Sequence, residues 1–311
     1  MVYTAPTGTD TQLSEATRVE RLEPPEAPVD IVLDTDTYNE IDDQFAFVYA
    51  LLSERIDVQA VYAAPFDNEN SAGPADGVDK SYAEIERLRS LVGGSHVETP
   101  AFRGATGYMA ATDGPVTNAA TDDLVARARD RDAGDPLYVV SIGAPTNVAS
   151  AIERAPEIVE SVVVVWLGGH PLTWHTAWEF NLFQDRRASR VLFDSGVPLV
   201  LVPCKNVAEQ VRTTVPELEA RLPEDDELAT FLLDTVRGFQ DDREAHHAWS
   251  KEVWDVAAVA TILDREWVPT HLVHSPHLSE EFRYSRDTSR HLIRVGVDAR
   301  RDPILTDFFE K

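Results

Sequence analysis

The sequence has 311 residues, of which 43% are hydrophobic, a size that suits one large α/β domain or two small ones. Its 54 acidic residues outnumber 28 basic ones. No basic patch is visible, which excludes typical nucleic-acid binding. The acidic residues are spread over the whole chain, which favours adaptation to high salt. The sequence has one cysteine, Cys204, which excludes an internal disulfide. It shows no signal segment and no apolar run of about 18 residues, which predicts a cytoplasmic protein without membrane contact.

Residues 1–28 are rich in threonine, proline, glutamate and alanine and lack periodicity. This composition predicts a mobile N-terminal extension whose last part can pack on the domain that follows. We expect residues 29–311 to form that single domain. It begins with a buried strand over residues 29–33, and a helix follows in which Phe45, Val48 and Leu52 share one apolar face.

Four aspartates lie where this strand leads into the helix: Asp34, Asp36, Asp42 and Asp43. Carboxylates this close repel one another, so a fold that gathers them usually supplies a cation. Without cysteine or an obvious histidine partner, they suit an oxygen-preferring ion such as Ca²⁺ or Mg²⁺. Open α/β sheets bind ligands beyond the carboxyl ends of their parallel strands, which makes this junction a candidate site. A solvated acidic loop is the alternative.

The second strand is predicted over residues 56–63 and leads into a polar loop. This loop, which holds Asn68 and Asn70, lies at the same end of the sheet as the aspartates if the strands are parallel, although both residues also fit a plain turn. A helix over residues 78–91 and another ending at residue 128 follow. After a buried strand at residues 136–140, Thr146 or Asn147 is predicted to cap the next helix.

A fully apolar strand is predicted over residues 161–167, as expected for a strand buried on both faces. Beyond it, His170, Trp174, His175 and Trp178 form an aromatic cluster that suits stacking of a nucleobase, although an aromatic core corner gives the same pattern.

The rest of the chain holds a strand over residues 197–202, with Cys204 just beyond it as a buried, inert thiol, and two ordinary amphipathic helices. Asp255 then heads an apolar helix that can bring its carboxylate back to the first loop. Strands are predicted within residues 270–297, and residues 301–311 read as a short tail.

Four segments, taken in order, resemble the inosine-uridine-preferring nucleoside hydrolases: D-T-D-T-Y-N-E-I-D-D, S-I-G-A-P-T-N, E-F-N and W-D-V-A-A-V-A. The family's first loop has the pattern D-x-D-x-G-x-D-D, so the loop here is two residues longer and lacks the glycine. The resemblance covers about residues 29–265. It implies an open, mostly parallel α/β sheet flanked by helices, and hydrolysis of the N-glycosidic bond of ribonucleosides to ribose and free base.

The resemblance also implies roles for individual residues. A Ca²⁺ ion would be bound by Asp36, Asp43, Asp255 and the main-chain carbonyl of Ile142, with Asp36 as the general base. The substrate-binding residues that we expect, including two from the aromatic cluster, are Asp42, Asn68, Glu179, Asn181, Trp178 and His175. Asp34 would hydrogen-bond within the loop, and Asp185 would begin the helix after E-F-N.

Trp254 stands where the family has a histidine that is often assigned to protonation of the leaving base. His175, His246, His247 or bulk water remain as alternative proton donors. The family further implies a homodimer or homotetramer.

Two other functions fit parts of the sequence. D-T-D-T after an apolar strand also matches haloacid-dehalogenase phosphatases, with Asp34 as nucleophile, Asp36 as acid and Lys205 as the later lysine. A non-catalytic sugar- or metal-binding protein on the hydrolase fold is the third possibility, since a fold does not by itself confer activity.

Overall fold

An eight-stranded sheet forms the centre of the computed structural model, which describes residues 13–112, 114–132, 134–241 and 248–311. The strands of these residues are β1 Val29–Thr35, β2 Ile56–Ala63, β3 Ala101–Arg103, β4 Leu137–Ser141, β5 Val162–Leu167, β6 Leu199–Val202, β7 Arg212–Thr213, β8 Lys251–Glu252, β9 Thr270–His274, β10 His277–Leu278, β11 Tyr284–Ser285 and β12 Leu292–Gly296. The sheet order is β3-β2-β1-β4-β5-β6-β12-β9. All neighbours pair in parallel except β12 and β9.

Helices cover both faces of this sheet. They are α1 Glu15–Arg21, α2 Asp42–Leu52, α3 Pro74–Val92, α4 Met109–Thr112, α5 Ala119–Arg129, α6 Thr146–Arg154, α7 Phe180–Gln184, α8 Arg186–Asp194, α9 Val215–Arg221, α10 Glu227–Asp241, α11 Val256–Leu263 and α12 Arg301–Phe309. The predicted open, mostly parallel sheet flanked by helices is therefore confirmed. Among the described residues, no helix is both long and apolar enough to cross a membrane.

The apolar runs of the central strands supply two separate hydrophobic cores. Successive side chains of a strand point to opposite faces, so Val163 and Val165 of β5 join one core while Val164 and Trp166 join the other. Helices α2, α11 and α12 cover the first face, and α5, α6 and α8 cover the second. Burial of both faces explains why these strands are continuously apolar rather than alternating.

Helix α2 is buried over nearly its whole surface, because it packs against α11 and α3 as well as the sheet. The predicted apolar face is therefore only part of what it buries. Its first two residues, Asp42 and Asp43, are buried too, at 5% and 1% exposure.

The expected short tail at residues 301–311 is wrong. These residues form α12, whose Ile304, Leu305 and Phe308 lie three and four positions apart and are buried. The ring centroid of Phe308 lies 5.7 Å from that of Phe45 and 5.6 Å from that of Tyr49, both on α2. The C-terminal helix thus closes the core beside the aspartate loop.

The predicted capping role of Thr146 or Asn147 is also wrong. Pro145 occupies the N-cap position of α6, which has no side-chain cap. Thr146 instead donates a hydrogen bond to Asp185, 2.9 Å away. Asp185 itself caps α8 by accepting from the Ala188 amide, as expected from an acid at a helix start.

The described part of the N-terminal extension contacts the sheet. Ser14 caps α1, and the buried guanidinium of Arg18 donates to the carbonyl of Gly196, which precedes β6. Glu15 accepts from the amide of Leu292, the first residue of β12. Residues 1–12 lie outside the described residues. Helix α1 therefore sits at the ends where β6 and β12 begin.

At the opposite end of the sheet, the loops after β1, β2, β4, β5 and β6 converge. Parallel strands carry their carboxyl ends to one edge, so residues far apart in sequence meet there. Helix α11 brings its first turn to the same place.

Candidate active site

A large cavity opens at this carboxyl edge of the sheet. It measures about 1160 Å³, slightly above the roughly 300–1,000 Å³ usual for small-molecule sites. Its wall includes Asp42 from the first loop, Asn68 after β2, Ile142 after β4, Glu179 at the start of α7 and Asp255 before α11. The cavity therefore collects residues from five connections of the sheet.

Three carboxylates meet at this cavity. One oxygen each of Asp42, Asp43 and Asp255 lies within 4.8 Å of the others, although Asp255 is more than two hundred residues away in sequence. All three residues are buried. The position of Asp255 ahead of an apolar helix predicts this contact, and the structure brings the residue to the first loop.

Asp36 lies beside this group and is fully buried. Neither of its carboxylate oxygens has a hydrogen-bond partner among the described residues. Its carboxyl carbon packs against Gly143, where a Cβ atom would lie only 3.0 Å from it, so a larger residue there would displace the carboxylate. A buried, unpaired carboxylate is costly, and a cation or an activated water is the usual compensation.

Electrostatics point the same way. Burial, followed by the charges of Asp43 and Asp42, raises the pKa of Asp36 well above its ordinary value. Burial and the charge of Asp42 raise the pKa of Asp43 to about 8. Burial, followed by the charges of Asp42, Asp43 and Asp36, raises the pKa of Asp255. Carboxylates that hold protons so strongly without a counterion form a site that can bind a hard metal ion.

Asp34 lies beneath the site and has its own partners. Asn147 donates to its Oδ1 at 2.8 Å, and Ser141 donates to its Oδ2 at 3.1 Å. Burial raises the pKa of Asp34 to about 7, against the lowering effect of these two bonds. A fully buried carboxylate with both oxygens occupied cannot act as a nucleophile, which removes the basis for the phosphatase alternative.

Asn147 is a residue of the site that the sequence did not reveal. Its amide nitrogen bonds Asp34, and its amide oxygen accepts from the main-chain N–H of Ala105 at 2.8 Å. The role of Asn147 could have been found from the pairing of β1 with β4. This pairing places Ser141 beside Asp34 and so brings the turn after β4 against the first loop.

The long loop between β1 and α2 is held by its neighbours. Asn68 donates from its side-chain amide to both oxygens of Asn39, at 3.1 Å to the carbonyl and 2.6 Å to the side chain. Glu40 pairs with the buried ammonium of Lys251 at 3.1 Å. Asn39, Glu40 and Asn68 all line the cavity, so the longer loop forms part of its wall.

Glu179 and Asn181 lie at the start of α7, on the cavity wall. The Glu179 carboxylate accepts main-chain N–H groups of Gly169, Asn181 and Leu182 at 2.7 to 3.1 Å, which caps the helix. Burial nevertheless raises the pKa of Glu179. The Asn181 amide donates to the carbonyls of Ile142 and Leu167, each at 3.0 Å, which leaves its own oxygen for a ligand and one lone pair on the Ile142 carbonyl.

Only part of the predicted aromatic cluster lines the cavity. Trp178 is 56% exposed and stacks on Phe183 and Phe282, with ring centroids 5.2 and 4.7 Å away, and it is not part of the cavity wall. His175 is exposed and likewise outside the wall. His170 does line the cavity, and burial followed by the charge of Lys205 lowers its pKa.

Other aromatic side chains form the remaining cavity wall. Phe180, Phe231, Phe239 and Trp254 lie there, of which the sequence singled out only Trp254 as a site position. The proposed proton donors His246 and His247 lie outside the described residues. Cys204 is buried at the cavity wall, and burial followed by the charge of Glu179 raises the pKa of its thiol, so it stays protonated as an inert group.

Comparison with protein families identifies one match. A model described as "Inosine-uridine preferring nucleoside hydrolase" matches residues 31–302. Among curated proteins, the pyrimidine-specific ribonucleoside hydrolase RihA of Escherichia coli O9:H4 (strain HS) is 28% identical over 195 residues. This alignment covers 55% of the chain and 58% of RihA, less than two thirds of its length.

Solved structures share the fold over almost the whole chain. A plant nucleoside hydrolase, the PpNRh1 enzyme, superposes with a TM-score of 0.74 at 18% identity, covering 91% of this chain and 98% of the enzyme. A purine-preferring ribonucleoside hydrolase from Gardnerella vaginalis gives a TM-score of 0.72 at 21% identity, covering 90% of this chain and 96% of that one. The predicted likeness of the fold to nucleoside hydrolases is thereby confirmed.

Proposed function

Because this chain belongs to the inosine-uridine preferring nucleoside hydrolase family, we propose that it hydrolyses ribonucleosides to ribose and free base. The observation that carries the proposal is the group of buried carboxylates at the cavity, with Asp36 unpaired beside Asp42, Asp43 and Asp255. A sugar that develops positive charge at C1′ is stabilised by such an anionic wall.

We assign a Ca²⁺ ion to this group, held by Asp36, Asp43, Asp255 and the free lone pair of the Ile142 carbonyl. All four donors are oxygens, which is the ligand set that Ca²⁺ prefers. When bound, the ion would neutralise the carboxylates and lower the pKa of a water molecule in contact with it. The raised pKa values of Asp36, Asp43 and Asp255 support a cation at this position.

Asp36 is proposed as the general base, because both of its oxygens are available to accept the proton of the attacking water. The water oxygen bonds to C1′ while the bond from C1′ to the base nitrogen breaks. Asp42, Asn68, Glu179 and Asn181 are proposed as contacts of the ribose hydroxyls, since all four line the cavity. Trp178 and His175 are left out, since both lie outside the cavity wall.

The test is release of reducing sugar from a panel of purine and pyrimidine ribonucleosides, at high salt with Ca²⁺. We expect the native protein to be active and Asp36→Ala to lose at least about 10²-fold in kcat, the usual minimum for loss of a general base. Asp135→Asn is the matched control, because its carboxylate is 73% exposed and pairs with Arg131, and neither residue lines the cavity.

The panel also separates the alternatives. Activity that is equal in native protein and Asp36→Ala contradicts the assignment of the base. A silent panel with Ca²⁺ bound by calorimetry supports the non-catalytic sugar- or metal-binding function instead. RihA is pyrimidine-specific and the Gardnerella vaginalis enzyme purine-preferring, so the order of rates in the panel assigns the base preference.

A further inference from the structure

The proposed function leaves one chemical task without a residue, which is stabilisation of the departing base. The electron pair of the C1′–N bond leaves with the base, so this half of the reaction develops negative charge. A group that meets it must be a hydrogen-bond donor, positioned in the cavity and able to carry positive charge.

The cavity is strongly acidic, which makes its basic residues conspicuous. Seven carboxylate side chains line it among the described residues: Glu40, Asp42, Glu69, Glu84, Glu179, Asp234 and Asp255. Besides the imidazole of His170, the same wall holds two basic side chains, Arg87 and Lys205. Lysine is rare in the whole chain, at four positions: Lys80, Lys205, Lys251 and Lys311.

Arg87 has local partners away from the carboxylate group. Its guanidinium lies 4.3 Å from the ring centroid of Phe231, and it faces Glu84 at 3.7 Å. Arg87 thus lies between α3 and α10, where the carboxylate of Glu84 balances its positive charge.

Lys205 instead lies beside the proposed reaction centre. It follows β6 at the carboxyl edge of the sheet, and its Nζ lies 5.3 Å from the ring centroid of Trp254, the residue before Asp255. The neighbouring Cys204 lines the same cavity wall as the proposed sugar contact Glu179 and the proposed metal ligand Asp255. An ion pair with Glu209 at 3.1 Å holds the ammonium in place.

We propose that Lys205, held over Trp254, is the catalytic residue that hydrogen-bonds and protonates the departing base. The inference rests on the proposed function. As the C1′–N bond breaks, the electron pair passes to the base, which takes a proton from the Lys205 ammonium. Asp36 takes a proton from the attacking water and releases it to solvent, and solvent returns a proton to Lys205, so the cycle balances. Trp254 supplies an apolar face on which a planar base can stack.

A purely structural role for Lys205 predicts something different. The pair with Glu209 spans one helical turn of sequence, and such partly exposed pairs stabilise a fold only weakly. If the pair only holds the loop, removing either partner should have the same effect on every substrate.

The experiment compares nucleosides with p-nitrophenyl β-D-riboside, whose leaving group departs as a stable phenolate and needs no proton. For Lys205→Met we expect kcat on uridine and inosine to fall by about 10²-fold or more, the usual worth of an acid catalyst. The rate on the p-nitrophenyl riboside should stay within about threefold, because sugar and water activation are intact. Lys205→Arg keeps the positive charge but does not release a proton, so it should recover little of the nucleoside rate, which separates proton transfer from charge alone.

Two controls accompany these variants. Glu209→Gln removes the ion pair that holds the ammonium and keeps the ammonium itself, so its loss of nucleoside rate should be clearly smaller than that of Lys205→Met, with no change on the p-nitrophenyl riboside. Lys311→Met breaks a comparable pair with Asp307, at 3.2 Å and far along the chain, and should change neither rate. If Lys205→Met does not fold, as judged by circular dichroism, Lys205→Gln provides the same comparison.

Equal losses on both substrate classes would overturn the inference, because Lys205 would then act on the sugar or the fold. An unchanged nucleoside rate would overturn it as well. In both cases the native protein still cleaves nucleosides, and the proposed function stands. A native protein that cleaves neither class defeats the proposed function and this inference together.

Discussion

A buried carboxylate needs partners, and Asp34 and Asp36 obtain them in different ways. Asp34 accepts hydrogen bonds from Asn147 and Ser141, whereas Asp36 has no side-chain donor within the described residues. Asp34 and Asp36 are two positions apart, and Asp36 lies just beyond Thr35, the last residue of β1. Asp34 therefore serves the structure of the site, while Asp36 remains available for chemistry.

The bond from Asn147 to Asp34 should matter for stability. We expect Asn147→Ala to lower the free energy of unfolding by about 1–3 kcal/mol, because it removes one of the two side-chain donors to Asp34 and leaves the buried Ala105 N–H without its partner. Urea denaturation measures this loss. Asn70→Ala is the control, since Asn70 is exposed, and it should change stability by less than about 0.5 kcal/mol. Similar losses in both variants would contradict the assignment.

Sequence alone assigned the aspartates correctly to one junction but missed Asn147. The aspartates are local, and their repulsion is visible in the sequence itself. The role of Asn147 depends on the register that sets Asp34 beside Ser141, more than one hundred residues away, and no local pattern reports that pairing. The same holds for Trp178, which packs on Phe282 rather than facing the cavity.

At the scale of elements, the strands were predictable and the last helix was not. The apolar runs of β4 and β5 are short and rich in valine, which favours buried strands, so both were found to within a residue or two. Helix α12 is short and mixes Pro303 with charged residues, so its apolar spacing was too brief to distinguish it from a tail. Only its contact with α2 shows that it belongs to the core.

This contact gives a test of α12. We expect Phe308→Ala to lower the free energy of unfolding by about 3–5 kcal/mol, the usual cost of deleting a buried aromatic ring, because Phe308 is 6% exposed and packs on Phe45 and Tyr49. Phe309→Ala, at a half-buried neighbouring position, should cost clearly less. Guanidinium unfolding monitored by fluorescence provides both values. If the two variants are equally stable, α12 is not part of the core.

At the scale of the whole molecule, the clustered carboxylates couple folding to pH and to metal. Burial raises the pKa of Asp34 to about 7 and that of Asp43 to about 8 in the folded protein, against 3.8 for an unperturbed aspartate. Between about pH 4 and pH 8 the folded state therefore binds more protons than the unfolded state. Stability without metal must fall as pH rises through this window.

We expect the melting temperature in EDTA to be higher at pH 5 than at pH 8. Saturating Ca²⁺ should restore stability at pH 8, by about 2.7 kcal/mol at one hundred times the dissociation constant. Asp43→Asn should flatten the pH dependence in EDTA, because it removes one of the raised groups. Asp302→Asn, at a carboxylate that is 87% exposed, should leave this pH dependence unchanged. A metal-free protein that becomes more stable towards pH 8 would contradict this account.

The placement of α1 determines how the protein can be attached to a support. This helix lies where β6 and β12 begin, at the far end of the sheet from the cavity, so a tether joined ahead of it would leave the cavity mouth facing the solution. Chemical coupling through lysine amines would act differently, because Lys205 lines the cavity and Lys80 bonds the loop carbonyl of Asn70. An N-terminal tag is therefore the attachment that preserves access, and amine-reactive labels would modify the cavity and its rim.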